Sequence, residues 1–409
     1  MSSPFLPTTR AQVSGHRFLR RRVEHGLVFG DIRMIHDPLR TRTRGVIFGC
    51  VAVVLGMLGA GLFAWLNPQP DPGEADLLRA DSGQLYVRID ERLHPVDNLT
   101  SARLIVGGEA QAQAIGQEHL RGVDKGPPLG ITRAPDLLAS DAPGENDTWA
   151  VCVSPSGRQV LLGPGAPAPT PLADNEAVLI DDWLVTSHGR RLLPDAESDA
   201  GGAVRRGLGI TPETPVAQAP PTLINALAEH RPVAVPEPLP VVVETETGYW
   251  AENGETIAPL SQLQAEILAH AGAESRQAEV AELGTRADAA PPPLPEIHPE
   301  FLDPAERHLC ALAGGGAGVL AQAPSGETQL VGETELDALV GLDGGAVAVD
   351  TGHGLHVVTA TGVIHDTDAA SVQALGLPEA HRVGWELVGL LPEGPALNRE
   401  EVLSGDSSG

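Results

Sequence analysis

Apolar and polar residues follow three successive rhythms along this chain. Near the start Leu19, Val23 and Leu27 recur every fourth residue, with Phe18 beside them and Arg17, Arg20, Arg21 and Arg22 filling the positions between. That spacing places the apolar residues on one face of a helix. Thr9, followed three residues later by Gln12, has the form of a capping box. A basic amphipathic helix is therefore expected over Thr9 to Val28, closed before the next segment by Asp37-Pro38. The second rhythm is the absence of punctuation. Gly45 to Leu66 reads GVIFGCVAVVLGMLGAGLFAWL, 22 residues without a charge. At a rise of about 1.5 Å per residue it is long enough to cross a hydrocarbon layer of about 30 Å. In lipid the backbone must satisfy its own hydrogen bonds, so the stretch is expected to be a single transmembrane helix. A core helix of this length would carry polar residues, and a signal peptide would have a basic region far shorter than the 44 residues that precede this run.

The third rhythm is a recurring unit: a β-rich run, a turn, a second short strand, then a helix ending in Leu-Gly or Val-Gly. It is read at Leu85–Gly107, Val178–Gly209, Tyr249–Leu268, Val319–Gly341 and Leu355–Gly376. Degenerate repeats of this length imply small units that close their cores by stacking. Proline-rich stretches at 211–240 and 271–295 read as connectors. The expected organisation is a basic arm over 1–44, a membrane helix over 45–66, a stalk over 67–84, a repeat-containing body over 85–403 and a frayed tail over 404–409. The expected class is α+β.

Charge sharpens this division. The arm holds nine arginines and three acids, while everything beyond Leu66 holds 18 basic and 51 acidic residues. An acidic body without a basic stripe argues against nucleic-acid binding. Arginines crowd only the N-terminal flank of the span, so the positive-inside rule places the N-terminus in the cytoplasm and the body outside, with Trp65 at the outer interface. Gly45, Gly49, Ala52, Gly56 and Ala60 share a face of the span, and small residues at that spacing let helices approach closely in lipid. The arm's Arg17, Phe18, Leu19, Arg20, Arg21, Arg22, Val23 and Leu27 are candidates to contact an anionic lipid surface or a partner's groove. Outside the span only Cys152 and Cys310 remain. In an oxidising compartment they read as a disulfide worth roughly 5 kcal/mol on the chain-entropy model; two separate buried thiols are the alternative.

No catalytic constellation emerges. A phosphate loop of the form G-x-x-x-x-G-K-[ST] requires a lysine. The only lysine, Lys125, is followed by Gly126-Pro127, and proline offers no N–H to a phosphate. The glycine-rich Gly314–Gly318 has no cation beside it. His353, His356, His365, Asp366 and Asp368 form the densest group of potential metal ligands, but they fall on a hairpin whose residues three apart face opposite sides. Ser187-His188 are adjacent, where the two cannot face each other across a site, and Asp181-Asp182, adjacent acids on a strand, would point apart. No catalytic, cofactor or metal residue is assigned.

The arm itself carries a resemblance. Thr8-Thr9-Arg10-Ala11-Gln12-Val13-Ser14-Gly15-His16-Arg17-Phe18-Leu19-Arg20-Arg21-Arg22, then Glu24-His25, Asp37-Pro38-Leu39-Arg40 and His94 through Gly107, resemble the EccB family of actinobacterial type VII (ESX) secretion. The resemblance is dense over about residues 7–107 and follows layout, including the paired cysteines and degenerate repeats, to about residue 400. It implies an inner-membrane subunit whose elongated periplasmic domain sets repeats around a β-rich core. It further implies partners of the EccC, EccD and EccE types, neighbouring EccB copies and a mycosin protease, with the bilayer around the span. It implies a structural, scaffolding role; ATP hydrolysis, attributed to the family, is the alternative and finds no motif here.

Overall fold

The structure is a computed structural model describing residues 9–30, 32–33, 38–66, 73–144 and 146–404. Asp37, stalk residues 67–72, the side chain of Trp65 and tail residues 405–409 lie outside the described residues. The chain divides into two compact units, Met1–Pro70 and Asp71–Gly409.

The first unit contains two helices. Arg10–Phe29 starts at Thr9, whose hydroxyl accepts from the Gln12 N–H while the Gln12 side chain accepts from the Thr9 N–H. It stops at Gly30 in the left-handed conformation, φ 70°, whose N–H reaches the Gly26 carbonyl. Both signals are local, which is why the helix was legible in advance. The second helix runs Pro38–Leu66, starting seven residues before the apolar stretch. Proline at its first position fits a helix start, because the missing N–H would have no partner there.

The second unit is built from four copies of one topology. The first has antiparallel strands Leu77–Ala80, Leu85–Ile89 and Arg92–Val96, then the helix Leu99–Val106. The strand Gln113–Ile115 returns parallel to the first strand. Leu77–Ala80 lies in the stretch that the sequence reading gave to the stalk. The second copy is Glu176–Ile180, Trp183–Thr186, Gly189–Leu192, helix Asp199–Gly207 and returning strand Val216–Ala217. The third is Val241–Thr245, Gly248–Asn253, Thr256–Leu260, helix Gln262–His270 and Ser275–Gln277. The fourth is Val347–Asp350, Leu355–Val358, Ile364–Thr367, helix Ala369–Leu375 and His381–Arg382. Each helix starts with a short polar cap at the same topological position. The side chains of Asn98, Ser198, Ser261 and Asp368 accept the N–H of the residue three further on. Such a cap stabilises a helix by about 1 kcal/mol. In the first copy the turn between the second and third strands is Asp90-Glu91, both at positive φ (48° and 65°), as a two-residue hairpin of matching twist requires.

The fifth expected copy, Val319–Gly341, is not a repeat. Ala317–Leu320, Thr328–Gln329 and Ala338–Val340 all belong to a seven-stranded central sheet together with Ala150–Val153, Gln159–Leu162, Thr170–Pro171 and His308–Leu312. The segments between them, broken by Pro324, Gly326 and Gly332, form no helix, so the terminal Val340-Gly341 only imitates a helix end.

The repeats close their cores in pairs. The first and fourth share one cluster, in which Val96, Ala102 and Leu104 meet Ala348, Val357, Leu375 and Leu397. The second and third share another, in which Leu179, Val204 and Leu208 meet Val242, Leu263, Ile267 and Leu268. Each pair is also tied by an arginine of one helix to the C-terminal carbonyls of the other. The Arg103 guanidinium donates to the Leu375 carbonyl at 2.6 Å, and that of Arg206 to the His270 carbonyl at 3.3 Å. A cation at a helix C-terminus opposes the partial negative charge there. The other faces of the second and fourth sheets, through Val178, Ile180, Val349 and Ile364, pack on the central sheet.

The close approach of the second and third helices makes a differential test. A Cβ on Gly207 would lie 2.3 Å from Ile267 Cγ1 and 3.3 Å from its Cα, whereas one on Gly202 would meet only the Arg206 side-chain terminus, at 3.2 Å. Gly207→Val is expected to destabilise by about 1–3 kcal/mol through overpacking. Gly202→Ala is expected to be neutral or to stabilise by up to about 1 kcal/mol through helix propensity. Denaturant midpoints of the two variants check both signs.

Candidate membrane and assembly surfaces

The helix Arg10–Phe29 presents nearly all its side chains outward. Phe18, Leu19, Val23 and Leu27 are exposed, Leu27 to 81%, among the exposed Arg17, Arg20, Arg21 and Arg22. Arg20 is steadied by Glu24 one turn on, at 2.9 Å. His25 is buried against Phe29, with ring centroids 5.0 Å apart. Apolar side chains left in water forgo roughly 25 cal/mol for each Å² they could bury, so this surface has the chemistry of a contact face.

The second helix is more extreme. Thr43–Phe63 has a mean hydropathy of 2.5 and none of it is buried within the protein. It is apolar all round, the pattern of a helix surrounded by a non-aqueous medium. Gly45, Gly49, Ala52, Gly56 and Ala60 fall on one face by helical spacing, and a Cβ on Gly45, Gly49 or Gly56 would meet nothing within 4 Å. Among the described residues, nothing fills the space these glycines leave open.

Cys152 and Cys310 stand directly opposite each other on neighbouring antiparallel strands of the central sheet and are joined by a disulfide. Both are buried, in a cluster with Val160, Leu162, Leu320 and Val340. The link spans 158 residues of sequence, enclosing the second and third repeats in one covalent loop. Cys50 is free and exposed on the apolar helix.

The groups considered for chemistry disperse. His356 Nδ1 lies 2.9 Å from Asp366 Oδ1, and its ring rests 5.1 Å from that of Trp385. His365 faces the other side of the sheet, with Nδ1 2.7 Å from the Pro395 carbonyl, and Asp368 caps a helix. Among the described residues no group of three or more His, Cys, Asp or Glu is placed to hold a metal. Ser187 and His188 touch as sequence neighbours, Oγ to Nδ1 at 3.0 Å, and not across a site. They occupy the hairpin turn between Trp183–Thr186 and Gly189–Leu192, where curvature brings neighbouring side chains together. Asp181 turns the preceding hairpin at φ 49°, and Asp182 accepts from Arg205 at 2.6 Å. Gly314-Gly315 form the turn linking two central strands, and Lys125 sits beside Leu93 at the edge of the first sheet. An open cleft of about 590 Å³ lies among Ser154, Pro155, Val216, Asp303, Pro304 and Arg307. Four titratable groups are displaced from their ordinary values. Burial lowers His365, His381 and Arg191, and hydrogen bonding to Glu252 raises Arg276.

Residues 5–257 match the family model described as type VII secretion system ESX-1, transport TM domain B. The chain is 30% identical to the ESX-1 secretion system ATPase EccB1 of Mycobacterium tuberculosis, over 97% of this chain and 94% of that protein. It is 36% identical to the ESX-3 secretion system ATPase EccB3 of the same organism over 56% of this chain and 45% of that protein. Among solved structures it resembles a chain of an intact ESX-5 inner membrane complex with a TM-score of 0.66 and 25% identity, covering 99% of this chain and 97% of that one. It shares its fold with the EccB3 dimer from the ESX-3 core complex at a TM-score of 0.63 and 23% identity, covering 80% of this chain and 99% of that chain.

Replacing both Cys152 and Cys310 with alanine is expected to cost about 2–5 kcal/mol, because the open chain regains the entropy of a long loop. Thermal unfolding under non-reducing conditions measures it. Adding reductant to the unfolded wild-type protein should bring its refolding midpoint down to that of the variant.

Proposed function

Because the chain belongs to the EccB family of type VII secretion transport proteins, we propose that it is a structural subunit of an ESX inner-membrane complex, holding together the periplasmic side and linking it to the membrane and cytoplasmic components. The observation that carries this is the joining, in one chain, of an uncovered apolar helix, an exposed basic amphipathic helix before it and a large acidic body after it. None of these surfaces completes an active site; each is suited to contact.

In this reading the arm, residues 1–44, lies in the cytoplasm, the span is 45–66, and the stalk and body from residue 67 onward are periplasmic. The asymmetry of arginines across the span supports that orientation. Arg17, Phe18, Leu19, Arg20, Arg21, Arg22, Val23 and Leu27 meet an anionic lipid surface or the groove of a partner. Gly45, Gly49, Ala52, Gly56 and Ala60 receive a neighbouring helix, whose backbone their small size lets approach. The partners proposed are EccC-, EccD- and EccE-type subunits, neighbouring EccB copies and a mycosin protease.

A nucleotide-hydrolysing role is the second reading, and what favours it is that relatives carry the name ATPase. Lys125→Ala tests the one lysine that could meet a phosphate. Unchanged hydrolysis by the purified variant would remove that residue from consideration.

Two outcomes test the scaffold reading. Deleting residues 1–44 is expected to leave the body folded, with its disulfide formed, while partner subunits no longer co-purify in mild detergent. Recovery of partners at normal yield would overturn it. Protease added to intact spheroplasts should digest the body and spare the arm. The reverse pattern would invert the topology and remove the basis for the cytoplasmic contacts.

A further inference from the structure

The contact between the first and fourth repeats contains a histidine whose burial makes a second proton costly. His365 is fully buried. It pairs in register with Val357, which belongs to the apolar cluster shared by those two repeats, and on its other side with Gly394. The Pro395 carbonyl can only accept, so the 2.7 Å contact fixes the proton of the neutral ring on Nδ1. Nε2 is left as a buried lone pair without a hydrogen-bond partner. The ring lies over Gly394, in the space a Cβ there would occupy, 2.4 Å from its Cε1.

What faces the ring from across the joint is a strap, Ile131 to Pro135, fastened to the helix of the first repeat. The Asn98 side chain donates to the Ile131 carbonyl at 3.1 Å, the Ile131 N–H donates to Ser101 Oγ at 2.9 Å, and the Thr100 hydroxyl donates to the Pro135 carbonyl. The strap holds Arg133 at positive φ, 69°; Arg133 is exposed, and its charge disfavours a proton on His365 while its carbonyl favours one. The acid that acts on the ring, Asp366, is next to it on the strand. Its side chain is 80% exposed and engaged with His356 on the opposite face. Glu393, the charged residue of the adjoining strand, is exposed.

We infer that the contact between the first and fourth repeats is an acid-sensitive joint, with His365 as its sensor and the Arg133 strap as the part it displaces. A second proton must go to Nε2, creating a buried imidazolium beside a guanidinium. The cheapest relief is withdrawal of the strap, which carries the first repeat's helix with it. The sign follows from the direction of the shift. Burial and Arg133 outweigh the two carbonyls and Asp366 and hold the folded-state value below the ordinary one. The contribution to stability is therefore complete above about pH 6.5 and is lost as the pH falls below it.

Hydrogen exchange of the full-length protein in detergent micelles, corrected for the intrinsic effect of pH, tests this between about pH 7.5 and pH 5. Exchange in Leu99–Val106 and Ala369–Leu375 is expected to rise on acidification, by up to about tenfold for each unit by which the folded value is depressed. His365→Gln should flatten the response. His381→Gln should leave it in place, because that histidine faces Trp149 on the central-sheet side. Arg133→Gln should move its midpoint to higher pH. A wild-type protein with no response, a response that survives His365→Gln, or one abolished by His381→Gln would overturn the inference. Should His365→Gln fail to fold, an unmoved midpoint in Arg133→Gln would overturn it as well.

Discussion

A sheet of four or five short strands with one helix of seven to nine residues cannot bury both of its faces, and the large unit is organised by that shortage. Such a piece lies well below the size at which a core closes alone. Each repeat therefore lends its helix face to another. The first pairs with the fourth and the second with the third, and the same device recurs in both pairs, an arginine bonded to the far helix's last carbonyls. The low aromatic content makes this sharing necessary. With 3% Phe, Trp and Tyr, the clusters rest on Val, Leu, Ile and Ala, whose smaller areas yield less on burial. A repeat in isolation would expose one apolar face of its sheet, so the four copies stand or fall as pairs.

The membrane segment obeys the same rule in a different solvent. Thr43–Phe63 has no surface that the chain itself covers, so its burial must come from lipid and from other helices. Within lipid, apolarity no longer distinguishes one helix face from another, and packing geometry takes over. The open glycine face then matters more than the leucines around it. The basic arm and the acidic body place opposite charges before and after this helix in sequence, and the proposed orientation rests on that asymmetry.

Much of this was legible because it was local. Thr9 and Gln12, Asn98 and Gly107, and Asp368 and Gly376 mark helix ends within a few residues, and the uncharged run from Gly45 announces itself. Four of the five repeats were visible through the same signals. What misled was imitation: Val340-Gly341 has the ending of a repeat without a helix before it. What stayed hidden was whatever depends on distant residues. Leu77–Ala80 is too short to stand out from a stalk, and its place as the central partner of two strands is set by partners such as Gln113, paired with Leu78. Ser187 and His188 touch because they share a hairpin turn. His365 looked like one of several hairpin histidines. Only the fold sets the charge of Arg133, more than 200 residues earlier, against it.

The pairing order has a mechanical consequence. The chain enters the large unit at the first repeat and ends at the helix Arg399–Ser404, whose Val402 is buried in the same cluster as the first repeat's helix. Entry and exit are thus held together, and the rest of the unit forms a loop closed at that joint. The fourth repeat also packs on the central sheet, and through it on the second repeat. A force applied where this unit begins is therefore received by the first repeat and passed to the fourth and to the disulfide-linked sheet, not dissipated along a string of beads. Such closure stiffens the unit. It also concentrates any loosening in one place, the contact between the first and last repeats, where the buried histidine sits.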